Sequence, residues 1–107
     1  MKNATSCMLI IGLLFVQADA SVYKGQRAYM KLCKKCHGSG DKVLALHTQK
    51  EWEEIFANDA KQLITLHKKD KNALKILHSE KFKKSLRHMR QFFHKFASDS
   101  GNVPACN

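Results

Sequence analysis

The chain predicts an all-α domain, and three observations carry that prediction. Apolar residues recur at helical spacing, most plainly Phe82, Leu86, Met89, Phe93 and Phe96, which are separated by four, three, four and three positions. Helix-start signals precede such stripes: Thr48-Gln49-Lys50-Glu51 has the form of a capping box, and Ser79 stands just before Glu80. Helix breakers are scarce, with a single proline at Pro104 and five glycines, and no stretch reads as a good strand.

The elements follow in order. Met1 to Ala20 reads as a secretory leader: a charge at Lys2, an apolar run from Met8 to Val16, and a small-x-small site at Ala18-Asp19-Ala20. The apolar run is well short of the ~20 residues of a membrane span. A first helix is expected from about Val22 to Lys35, with Gly25, Tyr29, Leu32 and Cys33 falling close together on it. Gly25 costs about 1 kcal/mol inside a helix relative to alanine, which makes sense where another backbone approaches closely and almost as well at a fraying helix start. His37-Gly38-Ser39-Gly40-Asp41 breaks this helix.

The capping box at Thr48 starts a helix bearing Trp52, Ile55 and Phe56. Asn58-Asp59 caps a further one with Ala60, Leu63, Ile64 and His67 on one stripe. Lys68 to Asn72 is a charged loop, and Ala73 to Leu77 a short apolar segment ending at His78. The last helix begins at the Ser79 cap and ends at Ser98-Asp99-Ser100-Gly101, so residues 98–107 form a C-terminal tail.

Without its leader the chain is 87 residues, Ser21 to Asn107, one domain with a thin core. Domains of that size often need a staple or a bound group to complete them. The mature part carries 18 Lys plus Arg against 8 Asp plus Glu, a net +10. Such a surface steers a protein toward acidic partners. Nucleic acid is an unsuitable partner for an exported chain.

The chemistry concentrates at Cys33-Lys34-Lys35-Cys36-His37. Two thiols one helical turn apart, followed at once by an imidazole, form the attachment signature of a c-type haem. Each thiol adds to one haem vinyl group, and His37 lies under the iron as proximal ligand. A Cys33–Cys36 redox pair would belong to a strand–helix unit, which is not seen here. A zinc site would need a second ligand pair at suitable spacing, and Cys106 with a histidine makes a poor one. Cys106 is left over, for pairing between chains or as an unpaired thiol.

The run Gly25-x-x-x-Tyr29-x-x-x-Cys33-x-x-Cys36-His37-Gly38 resembles the N-terminal helix of small single-haem class I cytochromes c. The resemblance extends over most of Val22 to Ala97 and implies a small helical domain wrapped around one covalent haem c. It also implies that the glycine and aromatic of the first helix pack against an aromatic-rich last helix, a role matched by Phe92, Phe93 and Phe96. Two features depart from the family pattern. There is no Gly-Pro loop after the attachment site, and the loop before the last helix holds no methionine.

The distal ligand must therefore come from elsewhere. Met1 and Met8 leave with the leader, Met30 sits in the attachment helix, and Met89 reads as core filler. His78 is the first choice: it lies 41 residues after His37, where the family's loop methionine usually falls. His67, at the end of the Ala60-Leu63-Ile64 stripe, is the second. His47 precedes a cap and approaches a haem propionate, while His88 and His94 flank the core stripe.

A second imidazole in place of a thioether lowers haem potential, and two firm ligands favour electron transfer over ligand binding. The expected function is a periplasmic one-electron carrier with no chemistry of its own beyond moving an electron. It would dock through its lysines onto the acidic face of a reductase, an oxidase or a quinol-oxidising complex, as a monomer or as a dimer linked through Cys106. The alternatives are a ligand-binding or peroxidase-like haem protein with an open distal site, and a docked haem subunit of a larger redox complex.

Overall fold

The computed structural model describes residues 20–104. The expected leader (apart from Ala20), Cys7 and Cys106 lie outside them. The described residues are helical throughout their regular structure, with no strand among them. Helix α1 covers residues 20–32. It is followed by α2 (Lys34–His37), α3 (Gly40–Leu44), α4 (Gln49–Leu66), α5 (Lys71–Leu77) and α6 (Glu80–Lys95). None of these helices is long and apolar enough to cross a membrane.

Two of the expected caps, at Thr48 and Ser79, are formed, and Asp70 adds one that was not expected. Thr48 Oγ1 accepts the Glu51 N–H at 3.2 Å while the Glu51 carboxylate accepts the Thr48 N–H at 3.0 Å. That reciprocal pair satisfies two donors that would otherwise be orphaned at the start of α4. Ser79 accepts the Phe82 N–H at the start of α6, and Asp70 accepts the Ala73 N–H at the start of α5. The Glu51 carboxyl is held below its ordinary range chiefly by these bonds to Thr48.

Asn58-Asp59 does interrupt α4, although not as a cap. Ala57 is extended, and Asn58, Asp59 and Ala60 all take left-handed backbone angles (φ 53, 55 and 61°). Left-handed residues with a Cβ cost roughly 1–2 kcal/mol each, least for Asn and Asp, whose short polar side chains tolerate the conformation. Ala60 has no such relief and is fully buried, so packing holds it there. The kink redirects the second half of α4.

The core lies between α6 and the helices on either side of it. Phe82, Met89, Phe92 and Phe93 of α6 are buried together with Tyr29 of α1, Leu44 of α3, and Trp52, Ile55 and Phe56 of α4. The apolar face of α6 is wider than the predicted stripe, because Phe92 joins it on the α1 side. There α1 and α6 touch backbone to backbone: a methyl group at Gly25 would land on the His88 carbonyl and within 2.8 Å of Phe92 Cβ. One turn on, the Tyr29 ring packs on Phe92 and Phe93 at centroid distances of 6.1 and 6.0 Å.

Two features lie beyond the predicted elements. A short helix, α3, forms where only a broken loop was foreseen, anchored by the fully buried Leu44. The expected tail is folded back in part: the Ser98 N–H donates to the His47 carbonyl (3.0 Å), and Asp99 Oδ1 accepts the Gln49 N–H (2.8 Å). Asp99 thus satisfies a first-turn donor of α4 from 50 residues away, and Pro104 is buried.

Candidate functional site

The attachment motif sits where α1 gives way to α2. The Cys33 N–H still bonds the Tyr29 carbonyl (2.8 Å), so the motif continues the helical path of α1 with a slight irregularity at Cys33. The Gly38 N–H then closes the turn on the Lys34 carbonyl, and Gly38 is left-handed at φ 76°. A residue with a side chain is strained there, which gives the glycine after His37 a conformational reason. Tyr29 Oη donates to the Gly38 carbonyl at 2.8 Å and ties that turn back to the core. Burial, then the neighbouring Cys33 and Asp41, push the Tyr29 phenol up to about 12, so it stays a donor at neutral pH.

This turn opens on a cavity of about 510 Å³, within the roughly 300–1,000 Å³ of small-molecule and cofactor sites. Leu32, Val43, Ile55, Phe56, Leu63 and Met89 give it apolar walls. Cys33, Cys36 and His37 lie on one side, and His67 comes from the end of the redirected half of α4. Leu46 and Leu66, both strongly exposed, stand at the mouth. Cys33 is half-buried and Cys36 exposed, and neither is in a disulfide. Burial, then the adjacent Cys36, raise the Cys33 thiol to about 12.

His37 and His67 face one another. Their Nε2 atoms are 3.5 Å apart and the ring planes are nearly perpendicular, at 83°. His67 is oriented by its other nitrogen, with Nδ1 2.7 Å from the Leu63 carbonyl. A carbonyl only accepts, so Nδ1 carries the proton, and in the neutral ring Nε2 is left with its lone pair on the side of His37. Metal-bound histidines commonly show this same backing by a carbonyl.

The other candidates stand elsewhere. His78 caps the C-terminal end of α5, exposed, and is not among the cavity-lining residues. His67 and His47 are the histidines that share the cavity with His37. Met89 is fully buried in the core and forms part of the wall, and Met30 is 44% exposed on α1. His47 lines the cavity edge-on to Trp52 at 4.6 Å, with Glu51 at 3.6 Å. His94 and Arg90 share Glu53 on the surface between α4 and α6.

The arrangement fits the prosthetic group that the motif implies. Two metal–imidazole bonds of about 2 Å each need some 4 Å between nitrogens, and the observed 3.5 Å lies close to that. Both thiols border the same space, and the walls are apolar enough for a porphyrin plate. Trp52 Nε1 is engaged by the Leu44 carbonyl at 3.0 Å and Tyr29 Oη by Gly38, so neither polar atom is left unpaired toward the cavity. Among the described residues, no group of three or more His, Cys, Asp or Glu is arranged to hold a bare metal ion. No protein-family model, curated protein or solved structure matches the chain.

Proposed function

We propose that this chain is an exported c-type cytochrome that carries one covalent haem c and passes single electrons between redox partners. Cys33 and Cys36 would hold the haem, His37 would be the proximal ligand, and His67 rather than His78 the distal one. The observation that carries the reading is the pairing of His37 and His67 Nε2 atoms at 3.5 Å across a cavity bordered by both cysteines.

When bound, the haem supplies the one-electron couple. The residues of the chain hold and shield it. Leu63 fixes the His67 tautomer through its carbonyl, and the Tyr29–Gly38 bond fixes the turn that carries His37. Phe56, Ile55 and Met89 exclude water from the inner wall. Two preset imidazoles leave little to rearrange on electron transfer, and they lower the potential relative to a histidine–methionine pair. They also argue against an open, peroxidase-like distal site. The leader read in the sequence is consistent with a periplasmic protein, and the basic surface suits acidic redox partners such as a reductase, an oxidase or a quinol-oxidising complex.

Visible absorption and electron paramagnetic resonance of the purified protein test this directly. The expected result is a covalently attached, low-spin haem. His67→Ala should turn it high-spin and open it to carbon monoxide, while His78→Ala leaves it unchanged. Loss of the low-spin signal in His78→Ala but not His67→Ala would overturn the ligand assignment. Absence of any covalently bound haem would overturn the function.

A further inference from the structure

We propose that the groove between α1 and α6 is a second functional surface, a docking site for an acidic amphipathic helix of a partner protein, separate from the cavity mouth. The proposal stands on charge and shape alone and does not depend on the haem.

The groove has a volume of about 580 Å³. Lys24, Arg27 and Lys31 rise on the α1 side and Lys81 and Lys84 on the α6 side, over a floor that includes Ala28 and Leu32. No carboxylate lines it, and among the described residues no Asp or Glu pairs with any of these five cations. Neighbouring Lys83, outside the groove, pairs with Glu80 at 3.7 Å. Holding like charges on two adjoining helices is unfavourable unless something neutralises them. The fields of the two helices overlap. After burial, the charges of Arg87 on α6 and Lys24 on α1 are what lower the His88 imidazole between them.

The shape selects the partner class. Cations repeat along each wall at helical intervals, with the apolar Ala28 and Leu32 and the small polar Ser85 between them. A helix with acidic flanks and an apolar ridge complements both features. The outward face of α1 extends the surface, with Tyr23, Arg27 and Met30 at successive turns. Tyr23 and Met30 are 59% and 44% exposed, and the Arg27 guanidinium lies 5.8 Å over the Tyr23 ring. Aromatic residues, Met and Arg are enriched at protein–protein interfaces, and the stacked pair is already ordered before binding. A lipid surface complements a concave groove poorly, since a flat bilayer reaches the rims and not the floor.

The position suggests a tether. The groove and the cavity share the wall residue Leu32, but the exposed residues of the cavity mouth (Cys36, His37, Leu46, Leu66 and Asp70) take no part in the groove. A helix seated there leaves the mouth open, so the protein can be held by one partner while the cavity faces another.

The test uses the full purified chain and a synthetic amphipathic helix with glutamates on one face and leucines on the other. A scrambled peptide of equal composition and phosphatidylglycerol vesicles serve as rival probes. Amide shifts in nuclear magnetic resonance should move along α1 and α6 and leave His37, His67 and the mouth unmoved. Combined Lys24→Glu, Arg27→Glu and Lys84→Glu should weaken peptide binding by about tenfold or more. An equal charge reversal at Lys42, Lys68 and Lys69 should change it by about twofold at most. If the groove variant fails to fold, the Lys24→Gln, Arg27→Gln and Lys84→Gln combination reads out the same loss. Equal weakening by both charge reversals, equal binding of the scrambled peptide, shifts centred on the mouth, or preferential binding to vesicles would each overturn the proposal.

Discussion

Helix α6 is closed against its neighbours in two different ways. Beside Gly25 and Tyr29 of α1 the contact is closed by protein alone: Gly25 lets the backbones meet, Tyr29 fills the next turn, and Phe92 is 1% exposed between them, while toward Lys81 and Lys84 the same two helices leave the surface groove. Toward the second half of α4 and α5, Met89 and Phe93 instead border a cavity of about 510 Å³. Well-packed domains leave few voids larger than a water molecule. A cavity of that size beside the core of a thin-cored domain is room enough for a bound group. The open side is also where backbone conformation is least comfortable, at residues 58–60. Strain of that kind collects near functional sites, where surrounding packing over-determines it.

The contrast is sharpest in paired truncations. Phe92→Ala removes a ring from the closed side and should cost about 3–5 kcal/mol, by urea denaturation, whether or not the cavity is filled. Leu63→Ala, on a half-buried cavity wall, should cost about 1 kcal/mol in a chain whose Cys33→Ala and Cys36→Ala changes prevent haem attachment. In the loaded protein the same truncation should cost at least about 1 kcal/mol more, because the wall then has something to touch. An equal cost of Leu63→Ala in both forms would erase the distinction between the two sides.

Gly25→Ala probes the closed side from the backbone. Helix propensity alone favours alanine by about 1 kcal/mol. The added methyl meets the His88 carbonyl, a backbone atom that cannot swing away, so the net effect should be a loss of about 1–3 kcal/mol. A stabilised Gly25→Ala protein would show that α1 and α6 are not in backbone contact.

The kink gives a smaller effect of opposite sign. Asp59→Gly removes a side chain from an exposed left-handed position, and should be neutral to stabilising by about 1 kcal/mol. Asp59→Val, β-branched at the same angles, should destabilise. If both variants melt alike, residue 59 is not left-handed in solution.

Local chemistry in the chain made much of this legible. The caps at Thr48 and Ser79, the interruption at Asn58-Asp59 and the stripe on α6 are short-range features, each readable within a few residues. The glycine spaced one turn before Tyr29 signalled a close approach before its neighbour was known. Which of His78 and His67 borders the cavity was not readable in that way. Spacing along the chain measures how far a residue can reach, whereas the direction of its side chain depends on where the helix ends. His78 falls just past the last turn of α5 and turns outward, while the left-handed residues at 58–60 redirect the segment that ends in His67. The fold-back of the tail was hidden for a related reason. Ser98, Asp99 and Ser100 read locally as a polar helix end, and the Asp99–Gln49 bond that orders them is entirely long-range.

The finest probe of the closed side is its response to pH. His88 lies at the α1–α6 contact, with its Nδ1 2.7 Å from the Ser21 hydroxyl. Burial, then the charges of Arg87 and Lys24, hold its pKa below the ordinary 6.5. A histidine depressed in the folded state binds protons more readily once unfolded, so stability rises with pH across the window between the two values. His88 therefore adds to stability above about pH 6.5, and that contribution is lost as pH falls through its lower, folded value. Asp41 and Glu51, both held below the ordinary carboxylate range, lose their contributions only in more acid solution. The urea midpoint should fall gently as pH drops below about 6.5 in the parent chain, and His88→Gln should flatten that slope while leaving the more acid transition in place. A slope unchanged by His88→Gln would place the titrating group elsewhere and leave the α1–α6 contact indifferent to pH.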